Sequence, residues 1–76
     1  MNQVVKLFKN EEDLIGFFYF RHQAAEAIVT LGEVGQYKVE TFKVINGKEH
    51  ISSTERFKFS RPTGLEEVET VTYPKR

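Results

Sequence analysis

Apolar and polar side chains alternate along residues 36–60, and this alternation predicts two antiparallel strands joined at Asn46-Gly47. Asn-Gly is the strongest two-residue turn signal, because a type I′ turn requires positive φ at both central positions. Counting outward from the turn pairs Phe42 with Ile51 and gathers an apolar set on one face of the hairpin. We expect that set to face the core; it consists of Phe42, Val44, Ile51 and Phe57, with Phe59 just beyond.

Two polar pairs follow from the same register. Tyr37 lies opposite Arg56 on the face that carries hydroxyls and charges, where the ring and the guanidinium would stack. Lys38 lies opposite Glu55, which is a favourable cross-strand pair of charges. The hairpin therefore predicts one core face, one solvent face and an exposed Tyr37–Arg56 pair.

Residues 11–25 follow the spacing of an amphipathic helix. Asn10 is a suitable N-cap, and the acidic residues 11–13 would lie in the first turn, where the helix dipole is positive. The apolar positions then recur on one face, at Leu14, Phe17, Phe18, Ala24, Ala25 and Ile28. We therefore predict an α+β fold in which one N-terminal helix packs on an antiparallel sheet of four or five strands.

The apolar run over residues 14–20 also fits a strand, because it is rich in aromatic residues and contains Gly16, and both are poor choices for a helix. Periodicity does not decide short apolar runs. The alternative is thus an all-β meander or small barrel in which residues 13–21 form a strand. Shorter strands are predicted over residues 4–8, 27–31 and 68–73, with turns at 32–35 and 61–64.

Length and composition describe a single small domain over residues 1–76. A chain of this size buries only about 60% of the surface that its unfolded form exposes. Without cysteine it can form neither a disulfide nor a thiolate metal site. Eleven basic residues balance eleven acidic ones, so net charge supplies no general attraction to nucleic acid or to anionic membranes. With no long apolar run and no signal-peptide pattern, we expect a whole, cytoplasmic protein without a membrane partner.

Catalytic and metal-binding patterns are lacking in the sequence. The two histidines, His22 and His50, have no metal-ligand spacing, and the serines lie in a strand pattern without a nucleophile elbow. The glycines are scattered singly, so no phosphate-binding loop is indicated. We therefore expect a protein that is not an enzyme and that uses neither a cofactor nor a metal, as is typical of small accessory proteins.

The aromatic residues 17–20 are more than a small core can hide, and exposed aromatic surface usually marks a protein contact. The leading hypothesis is a noncatalytic protein-binding module, a regulator or inhibitor that occupies a partner's surface. Its predicted contact residues are Tyr19, Phe20, Arg21, Tyr37 and Arg56. Small chains without disulfides often bury more surface by oligomerising, so a homodimer is also compatible with the sequence.

The strand over residues 56–61 alternates basic and aromatic residues, which is also a pattern of single-stranded nucleic-acid binders. In that alternative function, Arg56, Lys58 and Arg61 would hold phosphates while outward aromatic rings stack on bases. A half-buried strand shows the same alternation. Since the hairpin register places Phe57 with the core residues, protein binding is favoured over nucleic-acid binding.

Overall fold

The computed structural model describes residues 2–73, which form a five-stranded antiparallel sheet and one helix. The elements are β1 (Gln3–Lys9), β2 (Asp13–Phe18), α1 (Arg21–Leu31), β3 (Gly35–Ile45), β4 (Lys48–Ser60) and β5 (Gly64–Thr72). The strand order β2-β1-β3-β4-β5 makes β2 and β5 the edges of an open sheet. The fold is α+β with five strands, but its helix follows the first two strands, so the prediction of an N-terminal helix was wrong.

The predicted helix over residues 11–25 is largely replaced by a turn and a strand. Asn10 adopts a φ of +62° in the turn between β1 and β2, a left-handed conformation that asparagine tolerates better than most residues. The same preference for local structure makes asparagine a good N-cap, which explains the wrong prediction. Residues 13–18 form β2, so a strand in this region, as in the alternative fold, is confirmed.

The sequence predicted that a helix ends at residue 25 and that a strand covers residues 27–31, but the structure places the helix α1 over this region. Its alanines favour the helix, and Gly32, at a φ of +69°, ends it by donating its N–H to the Ile28 carbonyl. The predicted strand over residues 27–31 was therefore wrong. Ala24 and Ile28 are the buried residues of α1, so the helix meets the sheet along one narrow stripe.

The hairpin of β3 and β4 turns at Asn46-Gly47 with φ of +52° and +79°, and the predicted pairing of Phe42 with Ile51 is confirmed. Immediately beyond that pair, Ser52 is an extra residue in β4, a β-bulge that shifts all further pairs by one. Tyr37 consequently lies opposite Phe57, and Lys38 lies opposite Arg56. The predicted Tyr37–Arg56 and Lys38–Glu55 pairs were wrong.

The core lies between α1 and one face of the sheet, which we call the helix face. Its buried residues are Val5, Leu7, Ala24, Ile28, Tyr37, Val39 and Phe59, with Phe18, Ala27, Phe57 and Leu65 packed against them. The core positions of Phe57 and Phe59 are confirmed. Because the bulge exchanges the two faces of β4, Phe42 and Ile51 lie on the opposite, open face, half-buried, and not with Phe57 as predicted.

The described part of the protein is elongated, with extents of 43 × 20 × 20 Å. The short helix covers the sheet where Tyr37 and Phe59 lie, and the turn end of the hairpin extends past this core with exposed side chains. Within residues 2–73, α1 is the one helix, and it is too short and too polar to cross a bilayer.

Candidate protein-binding surface

The two edges of the sheet differ in character. At the β5 edge, exposed glutamates at 66, 67 and 69 discourage pairing with another strand. At the β2 edge, Asp13 at the start of the strand is exposed, and the exposed side chains that follow it are apolar instead. They are Leu14, Ile15 and Phe17 within the strand, followed by Tyr19 and Phe20. We call these five residues the β2 edge surface.

The strand–helix junction holds the end of the β2 edge surface in place. The side-chain carbonyl of Gln23 accepts hydrogen bonds from the backbone N–H groups of Tyr19 and Phe20, each at 3.1 Å. The side-chain amide of Gln3 donates to the carbonyl of Tyr19 at 2.7 Å. These three bonds satisfy backbone groups that would otherwise bind water or a further strand. The junction therefore fixes Tyr19 and Phe20 as exposed side chains on an ordered backbone.

Two open depressions flank this junction. One, of about 500 Å³, is lined by Val4, Phe17, Phe18, Tyr19 and Gln23. The other, of about 470 Å³, is lined by Phe20, by the start of α1 and by the sheet beneath it; its residues are Gln3, Phe20, Arg21, His22, Ala25, Glu55 and Phe57. Both are of a size that accommodates a side chain of a bound protein segment, and neither is deeply enclosed.

The structure brings together three of the five predicted contact residues. Tyr19, Phe20 and Arg21 are consecutive and exposed, with Phe20 stacked on the His22 ring at a centroid distance of 5.7 Å. The Arg21 guanidinium lies 3.7 Å from the Glu55 carboxylate and remains mostly in solvent. Exposed ion pairs of this kind contribute little to stability, so Arg21 is free to contact another molecule.

Tyr37 does not belong to this surface. Tyr37 is only 1% exposed, and its hydroxyl donates a hydrogen bond to the Glu33 carbonyl at 2.7 Å. The prediction of a surface Tyr37 followed from a register without the bulge, and burial of the ring in the core overturns it. Arg56 is on the open face of the sheet and is not part of the β2 edge surface.

An ion-pair network surrounds Arg56. Its guanidinium donates to both carboxylate oxygens of Glu11, at 3.0 and 3.1 Å, and to Glu69 at 3.3 Å. The Lys38 ammonium lies 3.7 Å from Glu11 and 3.3 Å from Glu40. The hydrogen bonds from Arg56 hold the pKa of Glu11 below its ordinary value, with further help from the charge of Lys38. Glu11 therefore links the β1–β2 turn to β3 and β4.

This network makes the stability of the protein depend on pH. Since the pKa of Glu11 is lower in the folded than in the unfolded chain, its contribution is present above the unfolded pKa and is lost as pH falls through the folded pKa. We expect the difference in unfolding free energy between the wild type and Glu11→Gln to shrink on acidification. An NMR titration should show the Glu11 pKa returning toward its ordinary value in Arg56→Gln. An identical Glu11 pKa in both proteins would contradict the network.

The residues of the nucleic-acid hypothesis are divided between two places. Arg56 and Lys58 lie two residues apart on the open face, whereas Arg61 follows β4 and donates to the Gly32 carbonyl at 2.6 Å. Two rings on the open face are covered by lysines, because the Lys6 and Lys38 ammonium groups lie 4.7 Å from the Phe42 and Phe8 ring centroids, respectively. The exposed Phe17 ring is on β2, three strands away from Arg56 and Lys58 on β4. A base would have to displace these lysines to stack, so no observation favours this alternative, which stays a prediction.

Candidate metal ligands do not converge in the described part of the chain. Within residues 2–73, no group of three or more His, Cys, Asp or Glu side chains is placed to hold a metal ion. His22 and His50 are both exposed. The hydroxyls of β4 were expected on the solvent face of the hairpin. Ser53 and Thr54 are instead buried, and the Thr54 hydroxyl lies 3.2 Å from that of Tyr73.

No protein-family model matches this chain, and neither a curated protein nor a solved structure matches it. The function therefore has to be inferred from the geometry of the β2 edge surface.

Sequence reasoning missed Leu14, Ile15 and Phe17 as surface residues, because the helical interpretation turned Leu14 and Phe17 toward the core. The available signal was the unbroken apolar run around Gly16, which in a strand must present side chains on both faces. Phe18, opposite Val5, faces the helix and packs on the core. Phe17, opposite Lys6, lies on the open face, where nothing in residues 2–73 covers it fully.

Proposed function

We propose that this protein is a noncatalytic protein-binding module that occupies a partner's surface through the β2 edge surface. The supporting observation is the exposure of five large apolar residues on the edge strand β2 and directly after it, namely Leu14, Ile15, Phe17, Tyr19 and Phe20. Monomeric proteins rarely leave a large apolar patch in water, and such patches mark interaction sites. A regulator or inhibitor acting by occlusion needs this kind of surface and no catalytic group.

The mode of binding that fits best is addition of a partner strand to β2. An edge strand presents unpaired backbone N–H and C=O groups, which supply affinity, while alternate side chains supply specificity. The bonds from Gln3 and Gln23 end the free edge at the junction, so the partner would pair with residues 13–18. Tyr19 and Phe20 would then contact the side chains of the partner beyond the paired strand.

Quantitative capture from the source cell tests the proposal. We expect at least one protein to be recovered by the wild type and depleted about 10-fold or more with Phe17→Ser/Tyr19→Ser, which corresponds to a loss of about 1.4 kcal/mol. Both side chains are highly exposed, so the variant should keep its fold, as circular dichroism would verify. The matched control is Val29→Ser/Val68→Ser, which removes two exposed apolar residues elsewhere. Equal recovery of every captured protein by all three chains would refute the proposal.

A further inference from the structure

We infer that the partner strand on β2 is β2 of a second copy, so that two chains form a symmetric dimer with one continuous sheet. This inference rests on the proposed function, because it names the occupant of the same surface. Antiparallel pairing of β2 with itself is generated by a two-fold axis perpendicular to the sheet. Such an isologous contact uses the same patch on both subunits and closes at two.

Closure at two follows from the difference between the sheet edges. Once both β2 strands are paired, the outer edges of the joined sheet are the two β5 strands. These edges carry the exposed glutamates at 66, 67 and 69, whose charge opposes further strand addition. Pairing of β2 with β5 of another copy would propagate into a filament, and it would bring the acidic residues 12 and 13 against this acidic edge. The charges therefore select the β2–β2 contact.

Charge also favours the antiparallel arrangement of the two β2 strands. Exposed Glu12 and Asp13 lie at the start of the strand, and exposed Arg21 and His22 follow its end. In an antiparallel pair, the start of one strand approaches the end of the other, so Glu12 and Asp13 of the two copies lie at opposite ends of the contact, whereas parallel pairing would bring them together. Arg21 takes no part in the contact, because its guanidinium lies beside Glu55 of β4, three strands away from β2. Separation of like charges favours the antiparallel orientation.

The apolar side chains are complementary in the same arrangement. Leu14 and Phe17 lie opposite Phe8 and Lys6 of β1, and both therefore face the open side of the sheet. A two-fold axis perpendicular to the sheet keeps the open faces of the two copies on the same side. Pairing centred between Ile15 and Gly16 then places Leu14 of each chain opposite Phe17 of the other, an apolar cross-strand pair at each end.

The size of the contact sets the expected affinity. A six-residue strand buries less than the roughly 800 Å² per partner of a standard interface. We therefore expect a dissociation constant on the order of 10–100 µM, weaker than that of obligate dimers. Sedimentation equilibrium between about 1 µM and 1 mM should show the mass rising from the 8.9 kDa of one chain to twice that value.

Two lysine substitutions at matched positions test the location of the contact. Ile15 and Val68 are the extra residues of the bulges in the two edge strands, and their exposed fractions are 45% and 64%. We expect Ile15→Lys to weaken the dimer about 100-fold or more, because each dimer would carry two lysines close to its two-fold axis. Val68→Lys should dimerise as the wild type does. Both substitutions are at exposed sites, so the fold is expected to be retained.

A wild type that is monomeric at the highest concentration overturns the inference, as does a dimer that Ile15→Lys leaves intact. If the protein is monomeric but loses a captured partner in Phe17→Ser/Tyr19→Ser, the proposed function stands and the self-association fails. If it is monomeric and captures nothing, both fail.

Discussion

Replacing Tyr37 with alanine is expected to destabilise the protein by about 3–5 kcal/mol, the range for removing a large buried aromatic side chain. Small domains have total stabilities of about 5 kcal/mol or little more, so much of the variant should be unfolded at room temperature. The ring is buried among core residues of the helix face. Its hydroxyl also fastens the segment between α1 and β3 through the Glu33 carbonyl. Urea denaturation followed by circular dichroism measures the loss.

Two further substitutions separate the contributions of Tyr37. Tyr37→Phe should cost about 1 kcal/mol, because it removes one hydrogen bond and keeps the ring. Tyr19→Ala, which truncates the same residue type at a site that is 61% exposed, should change stability by no more than about 0.5 kcal/mol. Equal destabilisation by Tyr37→Ala and Tyr19→Ala would contradict the burial of Tyr37 in the core.

Ile28→Ala is expected to cost about 2–5 kcal/mol, because Ile28 is fully buried and is the largest side chain that α1 places in the core. The neighbouring Val29 is more than half exposed, and Val29→Ala should stay within about 0.5 kcal/mol of the wild type. Denaturant midpoints measure both values. Hydrogen exchange should additionally show earlier exchange of the α1 amides in Ile28→Ala than of the β3–β4 amides.

A smaller effect of Ile28→Ala than of Val29→Ala would contradict the packing of α1 on the sheet. In that case the sheet would have to be stable without its helix, and the core described by Tyr37, Val39 and Phe59 would be open to water. The comparison is matched, because the two residues are adjacent in one helix and both variants replace a β-branched side chain with alanine.

The β2 edge surface shows why part of the candidate site could be predicted and part could not. Tyr19, Phe20 and Arg21 were identified from the excess of aromatic residues over what a small core can bury, which is a matter of composition. Phe17 was assigned to the core because a helix and a strand place that side chain differently. The choice between helix and strand depends on the neighbouring strand β1, which supplies the hydrogen bonds that make residues 13–18 a strand.

The bulge at Ser52 accounts for the other misplaced residues. One extra residue in β4 exchanges its two faces, so Phe57 moves from the side of Phe42 to the side of Tyr37. The alternation of side chains was identified correctly along β3 and within β4 on each side of the bulge. The sequence contains no glycine at the bulge that would have indicated it.

The sequence by itself determined the tight turn at Asn46-Gly47 and the strands on both sides of it. It also determined that the protein contains a sheet and has more aromatic residues than its core can bury. These features depend on local backbone preferences and on composition, which act within a few residues. Only the tertiary structure decided the place of the helix, the face on which Tyr37 lies and the edge that remains open. Each of these depends on pairing between strands distant in the chain, where burial against α1 outweighs the small differences in local propensity.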